Sequence, residues 1–174
     1  MKKTLLVASL VLLAASMSYA QTTSVLNLTV GNEAVIVVGT TTGFSASSTF
    51  APYTTSTPFT YYIRTSKTSG TGNITVAFLS DWSGALAGGP AIVNPPTTGD
   101  YLSYINTVSL PGTAAVAGNV TAIGATGYPV ATFGAGASSA IGGNTGSVAW
   151  SLVNDPKYAS GSYSITATFT ISAS

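Results

Sequence analysis

The chain contains no cysteine and no histidine, and charged residues fill only 5% of its 174 positions. Each shortage removes a class of chemistry. Without histidine there is no imidazole general base; without cysteine there is neither a thiol nucleophile nor a Cys/His metal site. Disulfide staples are excluded as well, so an exported chain of this kind must be held by its core or by its neighbours. The 5 Lys and Arg form no basic run, which leaves nothing for a phosphate backbone to bind. Neither a nucleic-acid partner nor a cofactor is expected. Four carboxylates (Glu33, Asp81, Asp100 and Asp155) remain. They are too scattered for a paired-acid or triad pattern, so the chain is not expected to be an enzyme.

Hydroxyl groups are what the chain has in quantity. It carries 27 Thr and 23 Ser beside 19 Gly, and 45% of its residues are hydrophobic. A soluble domain usually carries about 25% charged residues, and charge is the main device that keeps exposed sheet edges from pairing. A surface with so little charge suits a protein that contacts other protein over much of its area.

The N-terminus reads as a secretory leader. Met1-Lys2-Lys3 is a basic start, Leu5 to Ala15 is apolar, and Ser18-Tyr19-Ala20 is a small-x-small cleavage site before Gln21. The apolar run is too short to anchor in a bilayer, so residues 1–20 are expected to be a signal peptide. No transmembrane segment is expected in the mature chain, which is placed outside the cell or at its surface. Residues 21–33 read as an N-terminal strand and 34–174 as one β-sandwich domain.

Beyond residue 20 the dominant period is two. Tyr163, Ile165, Ala167, Phe169 and Ile171 alternate with Ser164, Thr166, Thr168, Thr170 and Ser172, the pattern of a strand with one buried and one hydroxylated face. Val148, Trp150 and Leu152 alternate in the same way, and the turn formers of Asn154 to Gly161 suggest that the two runs pair as a hairpin. Further runs lie at Ser24 to Val30, Ala34 to Val38, Phe59 to Arg64, Ile74 to Phe78 and Tyr101 to Val108, with short apolar islands at Val120 to Ile123 and Val130 to Phe133. About seven to nine strands at this spacing predict an all-β, antiparallel sandwich.

The first mature run carries the functional expectation. Leu26, Leu28 and Val30 share one face, with Val25 beside them, on a strand near the expected mature N-terminus. Such a strand can complete its own sheet or be lent to a neighbour, with main-chain hydrogen bonds giving affinity and alternate side chains filling pockets. The expected function is a structural subunit of an extracellular filament, pilus or surface layer, whose partners are copies of itself.

The end of the chain, Gly161-Ser-Tyr-Ser-Ile-Thr-Ala-Thr-Phe-Thr-Ile-Ser-Ala-Ser174, resembles the terminal strand of chaperone–usher pilins and related secreted surface proteins. In that family a glycine about fourteen residues from the end precedes an alternating strand, the place Gly161 holds. The resemblance implies an incomplete immunoglobulin-like sandwich whose groove is filled by the next subunit's N-terminal extension. It implies Leu26, Leu28 and Val30 as donor residues, and an acceptor groove flanked by Tyr163, Ile165, Phe169 and Ile171, with Val148, Trp150 and Leu152 on the preceding strand. A periplasmic chaperone or outer-membrane export machinery is the further partner implied. The chain departs from the family pattern in lacking a disulfide and in carrying Ala173 at the penultimate, usually aromatic, position.

The alternative reading is a carbohydrate-binding or adhesin-type module. Tyr53, Tyr61, Tyr62 and Trp82 are the candidate stacking platform, with Asp81 or Asn73 as polar partners. No metal site is expected, because Asp81, Asp100 and Asp155 lack the dense spacing of a calcium loop and read as turn caps.

Overall fold

The computed structural model describes residues 25–84 and 87–174. The leader expected at 1–20 lies outside the described residues. Strands and loops make up all of what is described, and every strand pairing is antiparallel. The strands are β1 (Glu33–Val38), β2 (Ser45–Ala46), β3 (Tyr53–Arg64), β4 (Gly72–Phe78), β5 (Ser83–Gly84), β6 (Leu102–Val108), β7 (Thr113–Ala114), β8 (Gly118–Val120), β9 (Gly124–Phe133), β10 (Asn144–Leu152), β11 (Tyr163–Ser164) and β12 (Thr168–Ala173). These twelve exceed the seven to nine expected, because β2, β5, β7 and β11 are two-residue pairings too short to leave a periodic signal.

The larger sheet runs β1-β3-β10-β6-β8, with β2 continuing the β1 side of β3; the smaller runs β12-β4-β9-β7, and β11 pairs with β5 apart from both. Period-two alternation makes each sheet two-faced. Phe59, Tyr61 and Ile63 on β3, with Val148, Trp150 and Leu152 on β10, are buried from one side. Ile74, Val76 and Phe78 on β4, with Val130 and Phe133 on β9, are buried from the other. Both sets belong to one core. Aromatic pairs bridge the layers: Tyr61–Phe133 at 5.2 Å between centroids, Phe78–Trp150 at 5.7 Å and Phe59–Phe169 at 6.0 Å. Each buried aromatic or branched side chain contributes about 1.5–3 kcal/mol of apolar transfer, which compensates for the absent disulfides.

Two aromatic side chains that bring polar atoms into this core find partners for them. The Trp150 indole donates to Thr57 Oγ1 at 2.9 Å, and the Tyr61 hydroxyl donates to the Ser109 carbonyl while accepting from the Gly112 amide. Gly146 shows how packing requires glycine within a strand. A Cβ on Gly146, inside β10, would lie 2.3 Å from the Phe59 ring. The β4–β9 ladder shifts register beside Pro129, which has no amide to give to Thr75.

Three expectations are corrected. Residues Val25 to Asn32 form no strand, so the first run does not pair with the domain that carries it. The C-terminal alternation is not one strand; it breaks at Ile165 to Ala167 between β11 and β12. Nor does that run form a hairpin with β10. Both edges of β10 are taken by β3 and β6, so the chain crosses to the other sheet and β12 pairs with β4.

Candidate functional site

At one flank of the paired sheets, β1 of the larger sheet and β12 of the smaller come together as outermost strands. Among the described residues β1 pairs only with β3, and β12 only with β4, so each leaves a six-residue edge without a ladder partner. The side chains register this. Ile74 and Val76 on β4 are fully buried, whereas Phe169 and Ile171, their register partners on β12 (Phe169 opposite Val76, Ile171 opposite Ile74), pack on the core yet stay half-buried. Ala34 and Ile36 on β1 are likewise half-buried against the core.

A groove of about 260 Å³ opens here, where β1 ends and the C-terminal run breaks. Val38 and Phe44 form one wall, Ile165, Ala167 and Phe169 the other, and Phe78, Leu102 and Trp150 reach its floor. Three of its hydroxyls are occupied: Thr57 accepts from Trp150 and shares a hydroxyl–hydroxyl bond of 2.8 Å with Thr41, and Thr55 donates to the Thr42 carbonyl at 2.5 Å. The lining is therefore mainly apolar side chains with most hydroxyls engaged, suited to an apolar occupant.

The residues expected to form an acceptor groove divide. Trp150, Ile165 and Phe169 line it. Ile171 lies two residues beyond Phe169 in β12, and Val148 is sealed in the core. Leu152 and Tyr163 line a different depression. Sequence reasoning missed Val38, Phe44, Phe78 and Leu102. Phe44 left a signal, as an aromatic within the Ser/Thr-rich stretch from Thr40 to Thr57.

The N-terminal segment stands apart from the domain. Leu26 and Leu28 are 93% and 85% exposed, and Val25 and Val30 are exposed with them. Arg64 holds the point where the segment leaves β1. Its Nε donates to the Gly31 carbonyl and its Nη2 to the Glu33 carboxylate, both at 2.7 Å. This is the one ion pair among the described residues.

The four-aromatic platform does not exist as a surface. Tyr61 is buried, and strand alternation turns its neighbour Tyr62 to the opposite, exposed face of β3. Tyr53 and Trp82 do line a common depression of about 430 Å³, but with Phe50, Tyr158 and Tyr163 as the other aromatics. Asp81 is committed elsewhere: its carboxylate accepts from the amides of Trp82, Ile92 and Val93, fixing the loop after β5.

Asp155, on the depression's edge, and the buried Asp100 form a carboxyl pair. Burial, and then the Asp155 hydrogen bond and charge, push the Asp100 carboxyl above the usual range. The Thr97 hydroxyl and the Lys157 amide hold Asp155 below it. Tyr158 donates to Asp100 at 3.3 Å, and burial beside that charge pushes its phenol above the ordinary tyrosine range.

Comparison with family models, with curated proteins and with solved structures finds no match to this chain.

Proposed function

We propose that this chain is a secreted structural subunit of an extracellular filament, pilus or surface layer, assembled by non-covalent strand addition. In this reading the domain is an immunoglobulin-like sandwich short of one strand. The segment from Val25 to Val30 of one copy lies along the bare edge of β12 in the next, its apolar side chains entering the groove between β1 and β12.

The observation that carries the reading is a match within one chain. An apolar-lined flank has two bare six-residue edges, and a segment with three same-face apolar residues projects free of its own sheet. Six extended residues span about 20 Å, the length of β12. Burying Leu26, Leu28 and Val30 is worth about 4–9 kcal/mol gross, before ordering costs. Main-chain hydrogen bonding to β12 adds to this without demanding any charged contact. Arg64 supports the reading by holding Gly31 and Glu33, so that the segment leaves the domain in a defined direction. A chaperone that occupies the same edge before polymerisation, and an export machinery, are the accompanying partners.

Deleting residues 21–30 from the mature chain tests the proposal by negative-stain electron microscopy. The full mature chain is expected to form filaments or sheets, and the deletion variant only dispersed particles. Assemblies of wild-type appearance from the shortened chain, or none from the full chain, would overturn it.

A further inference from the structure

We propose that the depression between the Phe50 turn and the Asn154–Tyr163 loop is a binding site for a neutral saccharide. It adjoins the strand-addition groove through the Phe44–Trp82 contact, 5.6 Å between centroids, but does not depend on that reading. Its volume of about 430 Å³ lies within the range of small-ligand sites.

Phe50 provides the first argument. It sits in the turn closed by the Ala51 amide on the Ser48 carbonyl, with φ of 55°. That is the left-handed region, where a bulky side chain is strained. The residue is nonetheless 62% exposed, so packing within the domain does little to compensate the strain. A ring held in this way at the mouth of a concavity is placed to meet something outside the chain.

The walls provide the second. Tyr163 donates to the Ala159 carbonyl at 2.8 Å, and its ring lies so close to Gly84 and Gly89 that a Cβ on either would stand 2.2 or 2.1 Å from it. Tyr158 is tied to Asp100. These two rings form a rigid frame, which leaves Phe50, Tyr53 and Trp82 as the stacking candidates. Sugar rings present apolar C–H faces to aromatic surfaces, while their hydroxyls need hydrogen-bonding groups, here Asn154 and Ser160 on the rim.

The third argument is charge. Asp155 is the only ionised side chain in the lining, and its two oxygens already accept from Thr97 and from the Lys157 amide. An anionic ligand therefore meets a like charge and no cation in the lining, and with both Asp155 oxygens already engaged the aromatic walls and neutral rim groups select an uncharged, hydroxyl-rich ligand.

The test is a titration of the full mature chain, and of its Leu28→Asp variant, followed by tryptophan fluorescence. The probes are neutral tetrasaccharides of gluco, manno, galacto and N-acetylhexosamine type. Saturable binding of at least one is expected, undiminished in Leu28→Asp, weakened at least tenfold in Phe50→Ala and Tyr53→Ala, and unchanged in Tyr62→Ala. Phe50→Gly should lose binding while its Tm rises by about 2–4 °C, because glycine relaxes the left-handed turn. Absence of saturation by every probe at 10 mM, or binding that survives in Phe50→Ala, would overturn the proposal. So would loss of assembly in Phe50→Ala with no saccharide bound by the parent chain, which would make the depression a protein contact.

Discussion

At one flank the two sheets end in β7 and β8, two and three residues long; at the other they end in β12 and β1, six residues each. The first flank is stitched shut. The chain passes directly from β7 to β8, the Ala115 amide donates to the Val130 carbonyl at 2.9 Å, and Asn106 bonds to the carbonyls of Ala115 and Pro129. The Tyr128 hydroxyl takes the amides of Thr121 and Ala122. Val120 and Val130 beneath it are fully buried. The second flank has long bare edges, half-buried inward residues and a groove reaching Trp150. Natural sheets blunt their edges with short strands, covering loops or charges. This chain uses the first two at one flank. At the other, Glu33 is the sole charge on either edge strand, and it is tied to Arg64. The difference teaches that a low charge is shared by both flanks, whereas a long strand edge without a ladder partner belongs to only one, and the proposed strand addition needs both.

The same chemical change at the two flanks should separate fold from assembly. Val120→Asp places an unpaired carboxylate in the closed flank, at a cost of several kcal/mol, and is expected to leave no cooperatively folded protein by near-ultraviolet circular dichroism. Leu28→Asp alters a residue that touches little of its own domain. Its melting free energy should stay within about 0.5 kcal/mol of the parent while assemblies disappear from electron micrographs. Equal loss of fold in both would erase the distinction between the flanks.

A smaller effect sharpens the account of the closed flank. Tyr128→Phe removes the acceptor for two loop amides and should cost about 1–2 kcal/mol. Amide exchange should accelerate at Thr121 and Ala122 and leave the β12–β4 ladder unchanged.

The smallest effect is one of pH, and it concerns the Asp100–Asp155 pair, faced by Tyr158 and Lys157. Asp100 has its carboxyl raised, so its contribution to stability is full at low pH and lost as pH rises through the raised value. Asp155 is lowered and acts in the opposite sense, its contribution being lost as pH falls. In Asp100→Asn the amide still accepts from Tyr158 and can donate to Asp155, as a protonated Asp100 does. The Tm of this variant should therefore no longer decline on going from pH 4 to pH 7. A parent-like decline would assign the pH dependence to other groups.

Much of the fold is legible in residue order. The alternation of Ile74, Val76 and Phe78, and of Val148, Trp150 and Leu152, names inward faces that the structure buries. The same rule, applied to adjacent Tyr61 and Tyr62, is enough to separate them onto opposite faces. Part of the candidate site is legible too: parity turns Trp150, Ile165 and Phe169 inward, although it does the same for Val148, Leu152, Tyr163 and Ile171, which do not line the groove. Phe44, Phe78 and Leu102 do not, because they reach the groove from three different parts of the chain.

Residue order alone accounts for the strand character, the hydroxylated outer faces and the absence of charge, cysteine and histidine, because each is set by side-chain chemistry and a two-residue repeat. Which strand lies beside which was settled by three-dimensional packing. Backbone hydrogen bonds are the same for every pair of strands, so Tyr163 to Ile171 carries no mark telling it to leave β10 for β4. The open flank exists for that reason: β3 and β6 fill both sides of β10, and the last strand is left with one side bare.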